Sequence, residues 1–155
     1  MTGGLDELYR EVLIEHSKQP RNRGELPTPP ATSAEGFNPL CGDRVRVFVE
    51  TGAGGRIERV RFDGEGCAIS TASASIMTEL LAGKTPEQAE RLAGVFAARL
   101  RGEEPDESGV EPADLDRLAA LSGVSAFPMR VKCATLAWHA ARAALAGGDR
   151  SVTTE

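Results

Sequence analysis

The chain has 155 residues, of which 41% are hydrophobic and 26% charged, with a formal net charge of −5. That is the composition of an ordinary globular protein with one core. The negative balance and an aromatic content of 5% argue against a basic, base-stacking nucleic-acid binder, and no apolar run approaches the roughly 20 residues of a membrane span.

Residues Met1–Arg10 hold neither a basic region nor an apolar stretch, so no secretion signal is expected. Leu5, Leu8, Tyr9, Val12, Leu13 and His16 recur at helical spacing and form one amphipathic face. That helix should stop near Gln19-Pro20, since the residue before a proline disfavours helical geometry. Pro20 to Gly36 is rich in Pro, Gly and Thr and reads as loop or edge strand.

Val45, Val47 and Val49 alternate within Arg44–Glu50 as a half-buried strand, and Ile57–Asp63 forms a second across the Gly52–Gly55 turn. A hairpin alone is marginal and needs helices packed on it. One helix is predicted from Ala68 to about Ala82, rich in Ser and Ala and ended by Gly83. Thr85-Pro86-Glu87-Gln88 combines a Thr cap, a first-turn proline and a capping-box Gln, which starts the next helix. Gly102–Gly109 gathers Glu103, Glu104, Asp106 and Glu107 as a solvated loop, expected to be mobile. A short helix follows at Asp114–Leu121, and a final one runs from near Pro128 to about Ala146 with Val131, Ala134, Trp138, Ala141 and Leu145 inward. Together these elements predict an α+β fold: a small antiparallel sheet of about three strands packed against four to six helices. Residues 1–155 should form a single domain, with 1–4 and 147–155 frayed.

The three cysteines, Cys41, Cys67 and Cys133, are odd in number and far apart, so they do not suit a disulfide framework. The reducing cytoplasm is the expected compartment. Each sits at an element boundary: Cys41 before the first clear strand, Cys67 at a helix start, Cys133 in the first turns of the last helix. A helix N-terminus favours the thiolate, the form that binds metal or attacks sulfur. With Asp43, two residues from Cys41 across Gly42, they would supply the four ligands of a tetrahedral zinc ion. A lone cysteine is more often a small buried hydrophobe, an aspartate here often a turn residue, and the spacing lacks CxxC knuckles. On the residues alone a shared metal site and separate structural roles both stay open. His16 reads as a core or boundary histidine. His139 lies six residues after Cys133, on nearly the opposite side of a helix, and is a poor ligand candidate.

Four collinear stretches carry a resemblance: LYREVLIEHSKQPRNRG (Leu8–Gly24), NPLCGDR (Asn38–Arg44), FDGEGCAISTASASIM (Phe62–Met77) and FPMRVKCATLAW (Phe127–Trp138). In order and spacing they resemble the U-type iron–sulfur scaffold family, which includes IscU, the NifU N-terminal domain and SufU. Lys132 stands before the third cysteine where IscU-like scaffolds carry a histidine, and about 100–116 matches an insertion of SufU-like proteins. Both features resemble the SufU branch.

The resemblance implies that Cys41, Asp43, Cys67 and Cys133 bind zinc, or at the same site iron or a [2Fe–2S] cluster. It implies that Cys41 accepts sulfur from a SufS-type cysteine desulfurase, whose histidine takes over a zinc position and frees the thiolate. Downstream iron–sulfur assembly proteins would be further partners. Arg130 aligns with an arginine beside that site and is expected next to the ligands, while Lys132 reads as solvated. The activity expected is zinc-dependent sulfur transfer, with assembly of a [2Fe–2S] cluster as the alternative.

Overall fold

A computed structural model describes residues 3–39, 42–147 and 151–153. Its elements are α1 (Gly3–Lys18), β1 (Thr32–Asn38), β2 (Asp43–Thr51), β3 (Ile57–Glu65), α2 (Ala68–Leu81), α3 (Pro86–Leu100), α4 (Pro112–Ala119), α5 (Pro128–Leu145) and β4 (Ser151–Thr153). Short 3-10 turns occupy Ala53–Gly55 and Ser122–Ala126.

The sheet order is β3-β2-β1-β4, with β1 and β3 each antiparallel to β2. The expected three-stranded antiparallel sheet is present, and β4 extends it by pairing parallel with β1. The valine alternation of β2 sets the layers. Val45, Val47 and Val49 are buried under α5 and joined by Val60 and Phe62 of β3, on which α2 packs. Phe48 points the other way, yet it too is buried, under Leu26 and Ala31.

The Pro20–Gly36 stretch therefore divides. Residues 20–31 carry the cover over the outer face of the sheet, and Thr32–Asn38 forms β1, paired from Thr32 with Val49 to Asn38 with Asp43. Fraying was expected at 1–4 and 147–155. Of these, residues 1, 2, 148–150, 154 and 155 lie outside the described residues; Gly3 and Gly4 belong to α1, and Ser151–Thr153 forms β4 on the outer edge of β1, whose unpaired N–H and C=O groups a further segment satisfies.

Helices α2 and α5 are buried on most sides, which explains the Ser and Ala content of α2. Small side chains let the two helices approach, and the hydroxyls find partners. Ser73 donates to the Ala134 carbonyl and accepts from Trp138 Nε1 at 3.1 Å. Ser75 meets His16 Nδ1 at 2.7 Å, fixing α1 on α2. Trp138 in turn packs on Phe96 of α3, ring centroids 4.8 Å apart.

The capping box at α3 is formed as the sequence predicts, Gln88 N–H to Thr85 Oγ1 at 3.2 Å and Thr85 N–H to Gln88 Oε1 at 3.0 Å. The following acidic stretch is tied down: Arg99 pairs with Glu107 at 2.7 Å and Arg91 donates to the Ser108 carbonyl at 2.9 Å. The helix expected at Asp114–Leu121 starts earlier, at Pro112, since proline suits a first helical turn.

Candidate metal centre

Three elements deliver one side chain each to a common point. Asp43 is the first residue of β2. Cys67 is the N-cap of α2, its Sγ accepting from Ser70 N–H at 3.4 Å. Cys133 lies in the second turn of α5, with Sγ 3.7 Å from the Met129 carbonyl.

The β2–β3 register brings the first two together, because Arg44 pairs with Glu65 and Cys67 follows two residues later. Gly64 makes that exit possible. Its φ is +132°, and a Cβ there would sit 2.1 Å from the Arg44 carbonyl oxygen, so the strands close at this place over a glycine. Asp43 Oδ1 then accepts from Cys67 N–H at 3.1 Å. Helix α5 packs across β1 and β2 and supplies Cys133 from the other side.

One ligand atom from each of Asp43, Cys67 and Cys133 lies within 4.8 Å of the others. A zinc–sulfur bond of about 2.3 Å gives tetrahedral edges of about 3.8 Å, so the three are within about an ångström of closing on one ion. Asp43 and Cys133 are 4% and 2% exposed, while Cys67 is partly open to solvent. Asp43 Oδ2 is buried with no hydrogen-bond partner among the described residues. A carboxylate oxygen held dry and unpaired is costly unless a cation or donor meets it. Two thiols and a carboxylate are a donor set suited to zinc or to iron.

Arg130 stands at the rim, exposed. Its guanidinium is held above its ordinary pKa, first by a hydrogen bond with Cys133 and then by the charges of Cys67 and Cys133. It has no lone pair to offer a metal, but it places positive charge beside both sulfurs. Lys132 is half-buried rather than fully solvated.

Cys41 lies outside the described residues. The histidines are elsewhere: His16 is buried against Ser75, and His139, its pKa lowered by burial and by Arg142, is not part of the cluster. The residue that sequence reasoning passed over is Ser70. It is fully buried beside Cys67, and its Oγ lacks a hydrogen-bond partner among the described residues.

The profile of the NifU-like N-terminal domain matches residues 8–149, nearly the whole chain. The chain belongs to this family. It is 45% identical over 136 residues to the zinc-dependent sulfurtransferase SufU of Bacillus subtilis, covering 88% of each chain. It is 40% identical over 142 residues to the iron–sulfur cluster assembly scaffold protein IscU of Streptococcus pyogenes serotype M1, covering 91% of this chain and 84% of that one. A solved SUF-system structure from Fervidobacterium islandicum AW-1 superposes with a TM-score of 0.76 at 34% identity, covering 87% of this chain and 94% of that one. The U-type family and α+β fold implied by the four motifs therefore hold.

Proposed function

We propose that this chain is a single-domain, zinc-dependent sulfur acceptor in iron–sulfur cluster assembly, with Asp43, Cys67, Cys133 and Cys41 as its metal ligands. The observation that carries the reading is the meeting of two cysteines and a buried aspartate whose Oδ2 has no hydrogen-bond partner among the described residues. Similarity to a relative named for zinc and sulfur transfer supports it. Cys41 is two peptide units from Asp43, within about 7 Å by chain length alone, so the fourth ligand needs no distant segment.

Bound zinc would hold its cysteine ligands as thiolates at neutral pH. The protein's own part is positional. Cys67 N–H fixes one oxygen of Asp43, and Arg130 draws an anionic donor toward the sulfurs. The donor is the persulfide of a cysteine desulfurase, of the SufS type. Cys41 thiolate attacks its outer sulfur, the donor S–S bond breaks, and the desulfurase cysteine leaves as thiolate. The new persulfide stays on Cys41. The reaction belongs in the cytoplasm, in keeping with reduced Cys67 and Cys133 and with the absence, among the described residues, of a membrane-crossing helix.

The test is desulfurase turnover with and without this chain, alongside metal analysis of protein purified without added metal. About one zinc per chain is expected. Persulfide should appear on Cys41 by mass spectrometry, and Cys41→Ala should abolish the stimulation. Persulfide on Cys133 with Cys41 unmodified would move the acceptor. A [2Fe–2S] spectrum growing in while no cysteine gains sulfur would replace transfer with scaffolding, the function named for the Streptococcus relative.

A further inference from the structure

Two buried polar atoms at the mouth of α2, Asp43 Oδ2 and Ser70 Oγ, lack hydrogen-bond partners among the described residues, and both side chains border Gly66. A Cβ built on Gly66 would sit 2.9 Å from Ser70 Oγ and 3.5 Å from Asp43 Cγ. The hydroxyl and the carboxylate thus border the same small space, which Gly66 leaves open. The other buried hydroxyls of α2 behave differently: Ser73 bonds to Ala134 and Trp138, Ser75 to His16 and Arg21, Thr78 to the Ser75 carbonyl.

An alanine at position 70 would fit the same space, favour the helix and leave no stranded hydroxyl. A serine that is fully buried and whose hydroxyl has no partner among the described residues is accounted for by a partner that arrives with a ligand. We propose that Ser70 is a positioning residue of the metal centre, its hydroxyl donating to the Asp43 carboxylate when that carboxylate holds the ion. This rests on the reading of Asp43, Cys67 and Cys133 as metal ligands.

The chemistry favours Asp43 over Cys67 as the acceptor. Cys67 Sγ already takes the Ser70 amide. A carboxylate has about four lone-pair positions, of which Cys67 N–H uses one on Oδ1. With Cys67 N–H on one side and Ser70 O–H on the other, the carboxylate cannot rotate away from the ion. Partners of this kind, which bond to a ligand and not to the metal, typically govern 10–100-fold in affinity.

The experiment compares wild-type protein, Ser70→Ala and Ser70→Thr by chelator competition for zinc, by melting with and without zinc, and by the visible spectrum of the cobalt(II)-loaded form. Ser70→Ala should bind zinc about tenfold more weakly, melt no lower than wild type when metal-free, and shift the cobalt bands. Ser70→Thr, which keeps the hydroxyl, should recover affinity. In an Asp43→Ala background the effect of Ser70→Ala should vanish, because the two act as a pair. Zinc affinity within twofold of wild type, or an effect that persists without Asp43, would overturn the proposal. So would a metal-free Ser70→Ala protein melting well below wild type, since the serine would then be structural. Wild-type protein that binds no zinc would instead remove the metal-site reading itself.

Discussion

The two ends of α2 treat their polar groups in opposite ways. At its far end the two cations beside the α2–α3 turn are engaged: Arg56 donates to the Gly83 carbonyl at 3.0 Å, and Lys84 bonds to the Leu80 carbonyl and pairs with Asp114 at 2.9 Å. At its start, Asp43 Oδ2 and Ser70 Oγ are buried and lack hydrogen-bond partners among the described residues. The satisfied end locks α4 and the preceding loop onto the body of the fold. The unsatisfied end carries a standing cost that a bound cation would remove, and stability given up locally in this way marks a place kept for chemistry.

The largest break of this contrast is Cys67→Ser. Serine is a preferred N-cap and can accept the Ser70 amide as sulfur does, so the metal-free fold should survive with its melting temperature nearly unchanged. The metal should be lost, because a soft thiolate ligand is gone. Zinc content should fall from about one per chain toward zero after dialysis against a chelator, along with most of the zinc-dependent rise in melting temperature. Unchanged metal content would take Cys67 out of the site.

A smaller effect comes from a polar contact that is satisfied and buried, the α1–α2 clasp. Ser75 Oγ accepts the Arg21 amide at 2.8 Å and meets His16 Nδ1 at 2.7 Å. Burial pushes the His16 pKa down, the Arg21 and Arg117 charges add to this, and Glu79 and Glu15 oppose it. A folded pKa below the unfolded value of about 6.5 means that the unfolded chain binds more protons between the two. Stability is therefore full above about pH 6.5 and is lost as pH falls through that window toward the folded pKa. Metal-free protein melted from pH 8 to pH 5.5 should show the decline, and His16→Gln should flatten it, leaving the contribution of His139, which has the same sign. An equal slope in the variant would mean that the carboxylates and His139 account for all of it.

How much of this was legible in the residues differs by element. The α3 start was readable because a Thr-Pro-x-Gln box encodes its own hydrogen bonds locally. Strand β2 was readable because Val45, Val47 and Val49 repeat the sheet period. Strand β1 was half legible, since edge strand was one of two readings for Pro20–Gly36: Thr32-Ser33-Ala34-Glu35-Gly36-Phe37-Asn38 holds few strand formers, and its bounds come from pairing with β2, a tertiary effect. Strand β4 was hidden for the same reason. At the site, the motifs named Asp43, Cys67 and Cys133, and the fold accounts for their meeting through Gly64 and the Arg44–Glu65 pair. Ser70 could not be picked out from Ser73 and Ser75, since what distinguishes it is a missing partner, which no local pattern records.

The smallest effect is expected at the satisfied end, from the acidic insertion. Mutual repulsion of its acids would make Gly102–Gly109 a loose spacer, but three of its four acids are engaged: Glu103 with Arg101 at 2.8 Å, Glu107 with Arg99 at 2.7 Å, and Asp106 accepting from Ser108 N–H at 3.0 Å. These are surface contacts, partly or largely exposed, and each contributes little. A flexible replacement of similar length changes closure entropy little. Replacing Glu103–Ser108 with Gly and Ser should therefore lower stability by about 1–2 kcal/mol, through the lost Arg99 pair and the loop's hold on Arg91. Zinc affinity should not move, because the insertion packs by the far end of α2, and the metal centre stands on the first turns of α2 and α5. A denaturant midpoint and a chelator competition on the same variant check both halves. If zinc affinity fell while the midpoint held, the insertion would reach the metal centre, and the division between a satisfied structural end and an unsatisfied chemical end would fail.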